Sequence, residues 1–145
     1  MNELNSMNLS FPSRSANEAF ARTAVAAFVA QLDPTVEELC DIRTAVSEAV
    51  TNCIIHGYPN SIGKVYIQGK IVGDKVILKV RDRGCGIADV SQAMEPLFTT
   101  SPGGERAGLG FAVMKELMDK VRVQSRPSIG TTVTMERRIT SRDLL

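Results

Sequence analysis

Glu48 and Asn52 stand four residues apart in a stretch with helical periodicity, so their side chains are neighbours about 6 Å apart on one side of a helix. A carboxylate beside a carboxamide is a useful pair. The first can accept a proton, and the amide oxygen is a hard, neutral ligand suited to Mg²⁺. On a polar helix face the same two residues are also common as plain surface groups. His56, in the last turn of that helix, reads as a structural residue interacting with the C-terminal dipole. Further along, Asp82-Arg-Gly84-Cys-Gly86 closes a predicted strand. Its carboxylate can accept the exocyclic N–H of adenine, and its glycines let main chain approach a flat ring, although a D-x-G turn alone is common. Gly108-Leu-Gly110 opens a predicted helix whose first N–H groups can hold phosphate. Gly130-Thr131-Thr132 precedes the last strand and by itself amounts to a turn and a β-prone pair.

Other chemistries lack their residues. No G-x-x-x-x-G-K-[ST] is present, which removes a P-loop, and no Asp-Phe-Gly or His-Arg-Asp set, which removes the eukaryote-type protein kinase fold. A Ser-His-Asp hydrolase would have to use His56, without a G-x-S-x-G elbow to support it. With 1 histidine in the chain, multi-histidine metal sites are ruled out.

The elements that must position these groups follow from periodicity. Weak apolar alternation over 7–11 predicts a first strand, and Ser15-Ala-Asn-Glu18 has the form of a capping box opening a helix over 16–31. Asp33-Pro34 breaks it, and Thr35-Val-Glu-Glu38 is a second capping box. The longer helix it starts ends near His56-Gly57, where glycine suits a left-handed C′ position. On its wheel Leu39, Ile42, Val46, Ala49, Val50, Cys53 and Ile54 form an apolar arc, opposite Thr44, Glu48, Thr51, Asn52 and His56. Two alternating runs around Gly73-Asp74 predict a β-hairpin. A short helix over 88–94, a loop over 96–110, a helix over 108–118 and strands over 121–125 and 131–137 complete the order. Segregated helices and hairpins predict an α+β sandwich with helices layered on one face of a mixed β-sheet.

Length and composition set the frame. The 145 residues suit a single domain covering 1–145, and 43% hydrophobic content can fill its core. A net charge of +1 argues against a dedicated nucleic-acid binder, which usually shows a strongly basic face. No apolar run is long enough to span a bilayer, and the polar start lacks a signal-peptide core. Three cysteines, Cys40, Cys53 and Cys85, with no C-x-x-C fit a reducing cytoplasm better than a disulfide framework.

Taken in order, Glu48-x-x-x-Asn52, Asp82-x-Gly84-x-Gly86, Gly108-x-Gly110 and Gly130-Thr131 resemble the boxes of the Bergerat-fold (GHKL) ATP-binding superfamily. Pro96-Leu-Phe-Thr-Thr100 looks like the start of its ATP lid. Within the superfamily, gyrase, Hsp90 and MutL need further domains, and a histidine kinase needs an acceptor histidine outside the ATP-site helix. The size, and the stretches Ala26-Ala-Phe-Val-Ala-Gln-Leu-Asp-Pro34 and Val46-Ser-Glu-Ala-Val-Thr-Asn52, resemble the anti-sigma serine kinases of spore-forming bacteria. Among these the sigma F type is the nearer likeness and the sigma B stress-response type the second. The resemblance implies a homodimeric protein that binds ATP/ADP and Mg²⁺, silences a sporulation sigma factor and phosphorylates a serine of a small anti-anti-sigma antagonist. It implies Glu48 as general base and Asn52 as Mg²⁺ ligand. Asp82, Gly84, Gly86 and Thr131 would form the adenine pocket, and Thr99, Gly108 and Gly110 would lie at the lid and phosphates. Arg106 in the lid and Arg22 on the first helix are open candidates for phosphate and partner contacts. A sigma-binding, nucleotide-sensing module without transferase activity is the alternative from another class, and an intact Glu48 speaks against it.

Overall fold

The computed structural model describes residues 3–94 and 109–140. Five strands, β1 (Glu3–Pro12), β2 (Lys64–Val72), β3 (Lys75–Asp82), β4 (Lys120–Arg126) and β5 (Gly130–Arg138), form one sheet in the order β1-β2-β3-β5-β4. Helices α1 (Ala16–Val29), α2 (Val36–Asn52) and α4 (Leu109–Leu117) supply the covering layer, with a short α3 (Val90–Ala93) near β4. The architecture is the expected α+β sandwich, with one difference. All of the pairings are antiparallel, so the sheet is not mixed. The hairpin β4–β5 inserts β5 beside β3 in the direction opposite to it, and no β-α-β crossover makes a parallel pair among the described residues.

Strand alternation decides what the sheet buries. Val65, Ile67 and Ile71 of β2, Val76, Leu78 and Val80 of β3, and Val133 and Met135 of β5 point to the helices and are buried. The register Ile67↔Val80↔Val133↔Val123 runs straight across the sheet, so one apolar row serves four strands. Gly73, at φ 63°, makes the predicted tight turn between β2 and β3. β1 is longer than its weak alternation suggests, because it pairs with β2 from Pro12↔Lys64 to Glu3↔Val72 as an edge strand with polar side chains. Against this floor α2 lays Ile42, Ala45, Val46, Ala49 and Val50, and α1 adds Ala21, Val25 and Val29.

The two capping boxes have different fates. Ser15 sits at φ −57° and ψ −33°, already helical, and its side chain makes no cap bond. Its hydroxyl is therefore not aimed at the N3 amide, and Glu18 reaches Arg22 at 3.9 Å instead of the cap. At Thr35 the box forms as expected, with extended backbone at φ −67° and ψ 163°. Asp33, left-handed at φ 51°, turns the chain into Pro34. The Glu38 N–H donates to Thr35 Oγ1 at 3.0 Å and the Thr35 N–H to Glu38 Oε1 at 2.9 Å.

Glu38 does more than cap. Its second oxygen accepts the Thr140 N–H at 2.8 Å, tying the chain after β5 to the start of α2. Burial pushes the Glu38 carboxyl up, but bonds from Thr140 and Thr35 outweigh it and hold the pKa below the usual carboxylate value. A depressed carboxyl stabilises the fold above its unfolded pKa, and that contribution is lost as pH falls through the folded value. Glu38→Gln faces one of the two N–H groups with a donor. We expect it to lower the unfolding free energy by about 1–3 kcal/mol at neutral pH, and by clearly less near pH 3. Urea unfolding at both pH values checks this, and an equal loss at both would show that the charge is not used.

Candidate active site

The apolar rows of α2 fix its rotation, and that rotation decides where Glu48 and Asn52 point. The expected polar arc does not face open solvent at these two positions; α4 lies beside them, and both are half-buried. A methyl group built on Gly110 would stand 3.2 Å from Asn52 Nδ2 and Oδ1 and 3.2 Å from Glu48 Oε2. The two side chains therefore converge on one spot of α4, where the absence of a Cβ leaves them room. A proton acceptor and a hard oxygen ligand thus share a single concave position. Of the other phosphate-side candidates, Thr99, Arg106 and Gly108 lie outside the described residues.

After Asn52 the helix does not stop. It widens into a π turn over Cys53–Gly57, closed by a bond from the Tyr58 N–H to the Cys53 carbonyl at 3.0 Å. Gly57 was expected as a left-handed C′ residue, but its φ is not positive. Its role is close approach: a Cβ there would fall 2.8 Å from Asp82 Cγ. His56, half-buried in the same turn, has its pKa pushed down by burial. It is neutral near pH 7, which sets packing above a charge–dipole interaction.

Asp82 ends β3 on the helix-facing side and is 4% exposed. Its Oδ1 accepts the Gly84 N–H at 2.9 Å. The Thr131 N–H and the Cys53 thiol also donate to the carboxylate. Burial pushes the Asp82 pKa up, and these donors only partly pull it back. Burial, and then the neighbouring Asp82 charge, push the Cys53 thiol well up, so it remains a donor. A carboxylate fixed in this way keeps acceptor capacity for one more N–H.

The glycines of Asp82-x-Gly84-x-Gly86 have a reason within the protein itself. A Cβ on Gly84 would stand 1.9 Å from the Gly57 carbonyl oxygen, and Gly86 adopts φ 73° beside the Arg126 carbonyl. Both let the loop fold onto the π turn and onto the β4–β5 turn. The Cys85 N–H donates to Gly57 O at 2.9 Å, and the Ser128 N–H to Cys85 O at 2.6 Å. Sequence reasoning missed Ser125, whose hydroxyl lies 2.7 Å from Thr131 Oγ1 and accepts the Ile87 N–H at 2.7 Å. The available signal was a polar residue at the inward position of the Val121-x-Val123-x-Ser125 alternation. It also missed Tyr58, whose hydroxyl donates to Lys64 O and accepts the Arg83 N–H, both at 2.7 Å. A cleft of about 450 Å³ has Asp82, Val90, Val123, Ser125 and Thr131 in its lining. Val90, Val123 and Ile129 give this cleft apolar surface, and Asp82, the Ser125–Thr131 hydroxyl pair, Arg81, Gln124 and Arg126 make the rest of its lining polar, a mixture that suits a flat ring carrying N–H donors.

The structure thus brings the sequence-derived residues into two groups: Glu48, Asn52 and Gly110 between α2 and α4, and Asp82, Gly84, Gly86 and Thr131 at the end of β3. Helix α2 and its π turn connect them. The sequence pattern of the histidine kinase-like ATPase domain matches residues 11–137. Anti-sigma F factors of Thermoanaerobacter sp. (strain X514) and Caldanaerobacter subterraneus subsp. tengcongensis are 57% and 58% identical, over 97% and 93% of this chain and 99% and 94% of theirs. The anti-sigma F factor of Halalkalibacterium halodurans is 53% identical over 94% of both chains. In the crystal structure of the RsbU and RsbW domains of a Mycobacterium tuberculosis protein the same fold recurs. It gives a TM-score of 0.69 at 21% identity, covering 94% of this chain and 33% of that one. The chain belongs to the anti-sigma F factor family, built on a histidine kinase-like ATPase domain.

Proposed function

We propose that this chain is a cytoplasmic, homodimeric anti-sigma factor that silences a sigma F-type factor and acts as a serine kinase on a small antagonist protein. The observation that supports transfer, and not binding alone, is the convergence of Glu48 and Asn52 on Gly110. Binding a nucleotide needs no proton acceptor at that spot. Asp82 selects adenine by accepting its exocyclic N–H. The cleft beside Val90, Val123 and Thr131 takes the ring, directing the triphosphate along α2 toward Asn52.

Mg²⁺ is usually held by one or two protein oxygens, substrate phosphates and water. A single amide oxygen at Asn52 fits that pattern, and among the described residues no cluster of three acidic, histidine or cysteine ligands competes with it. When bound there, the ion would neutralise phosphate charge. Glu48 lies beside that position and takes the proton of the attacking serine hydroxyl. The serine oxygen bonds to the γ-phosphorus as the bond from phosphorus to the β–γ bridging oxygen breaks, leaving ADP. The half-burial of Glu48 and Asn52 under α4 limits water at the point of attack.

Incubation with labelled ATP, Mg²⁺ and a candidate antagonist is expected to place label on a serine of the added protein. Glu48→Gln is expected to keep ATP affinity and lose about 10²–10⁴-fold in single-turnover rate, the span of general-base removal. An unchanged rate would exclude Glu48 as the base. Asp82→Asn is expected to weaken adenine nucleotides measurably by calorimetry while the fold persists. Its stability effect has a defined sign. A carboxyl with a raised folded pKa contributes stability below its unfolded pKa and loses it as pH rises through the folded value. The melting temperature of Asp82→Asn relative to the parent should therefore rise between about pH 4 and pH 7. A falling difference would show that the ionised carboxylate stabilises the free protein.

A further inference from the structure

Among the described residues the helices pack on one face of the sheet, and none covers the strand residues of the opposite face. Register places those residues in rows. Tyr66, Arg81, Thr132 and Gln124 form one row, Gln68, Lys79, Thr134 and Arg122 the next, and Lys70, Ile77, Glu136 and Lys120 a third. Cations dominate them: Lys70, Lys79, Arg81, Lys120, Arg122 and, at the end of β4, Arg126. On β2 to β5 the sole acidic residue of this face is Glu136. Among the described residues none of these six cations forms an ion pair. Neighbouring rows stand about 6.8 Å apart along a strand and neighbouring strands about 4.8 Å apart, so the charges repel one another across the sheet. Thr134, between Lys79 and Arg122 in register, is only 8% exposed.

One feature exceeds what solubility or a blunted edge strand requires. Tyr66 lies near the start of β2 on this face, with the Arg83 guanidinium 5.0 Å and the Arg81 guanidinium 6.0 Å from its ring centroid. An aromatic ring and planar guanidinium groups on an open sheet, surrounded by cations, amides and hydroxyls, make a platform on which bases stack while phosphates meet the charges. An acidic polypeptide would satisfy the charges and leave the platform unused. The near-neutral net charge concealed this face, because the acidic residues lie elsewhere: Glu37 and Glu38 in the first turn of α2, Asp41 in the same helix and Asp82 in the site.

We propose that the uncovered sheet face binds single-stranded nucleic acid through its phosphodiester backbone, with the Tyr66–Arg83 pair stacking a base. This surface lies on the sheet face opposite the Glu48–Asn52 site and does not depend on the kinase reading, although its Arg81, Gln124, Arg126 and Thr132 end also borders the cleft beside Asp82.

The test uses the full chain and a labelled single strand of about 16 nucleotides, followed by fluorescence anisotropy with saturating ATP present. Binding is expected at about 50 mM salt and should weaken steeply by about 200 mM. The double variant Lys79→Gln/Arg122→Gln should reduce the slope of log affinity against log salt by about 0.7 per lost phosphate contact and leave ATP affinity unchanged. Tyr66→Ala should weaken the single strand by at least about five-fold, the lower bound for a stacked base, with little effect on a duplex of the same sequence. The proposal is overturned by any of these: no binding at low salt, loss of binding when ATP is added, or unaltered affinity in the Lys79/Arg122 variant. It also falls if a duplex or a polyglutamate of equal length binds as tightly as the single strand, or if the Lys79→Gln/Arg122→Gln variant loses the homodimer in sedimentation, which would make this face the seam between two copies.

Discussion

A carboxylate buried at the end of β3 sets the terms for everything around it. Asp82 is removed from water, which raises its pKa, and N–H and S–H donors offset that rise only in part. Those donors come from separate segments: Cys53 from the π turn, Gly84 from the following loop and Thr131 from the start of β5. Any one of them moving would leave the charge less compensated, so the three segments hold one another in register. The close approach this demands leaves no space for a side chain at Gly57 or Gly84. A buried carboxyl that its own protein only partly satisfies does not maximise stability. It makes sense as a recognition element, since the missing interaction is one an exocyclic N–H can supply.

The second group of site residues depends on the core and not on Asp82. Helix α2 is locked by completely buried small and branched residues, so its rotation cannot drift without opening voids. Glu48 and Asn52 inherit their positions from that packing, and Gly110 makes the space into which they point. The π turn then widens the helix just past Asn52 and carries Cys53 and Gly57 to the carboxylate. One continuous element from Val36 to Gly57 therefore connects the Glu48–Asn52 pair to the buried Asp82 carboxylate. Such lines of rigid secondary structure hold groups more accurately than loops do.

Much of this was legible in the residues. The β2–β3 hairpin, the Thr35 cap, the extent of α1 and α2 and the last two strands follow from patterns that local physics enforces. What was not legible depended on partners distant in sequence. Ser15-x-x-Glu18 and Thr35-x-x-Glu38 carry the same signature, but only Thr35 has extended backbone; Ser15 follows a turn held by bonds from Arg14 N–H and Asn17 Nδ2 to Pro12 O. Gly57 read as a helix stop because the sequence does not reveal that Asp82 will press against it. The antiparallel direction of β5 beside β3 is likewise set by the whole sheet. For the site, motif order singled out Glu48, Asn52 and Asp82 as candidates, whereas Ser125 and Tyr58 act through contacts that no motif encodes.

Strand alternation also explains how two unlike surfaces coexist in so short a chain. Arg81 and Asp82 are consecutive, yet the first is exposed on the open face and the second buried on the helix face. Across β5 they pair with Thr132 and Thr131, which sit on opposite faces in the same order and are both half-buried. Chemistry on the helix side constrains every second residue of β3 and β5, and the intervening residues remain free to vary in charge. A sum over the chain then returns +1, although the charges that β2 to β5 place on one side of the sheet are almost all positive. Net charge bears on partners only after the faces are separated, because an approaching polyanion responds to the field within about a Debye length and not to the total.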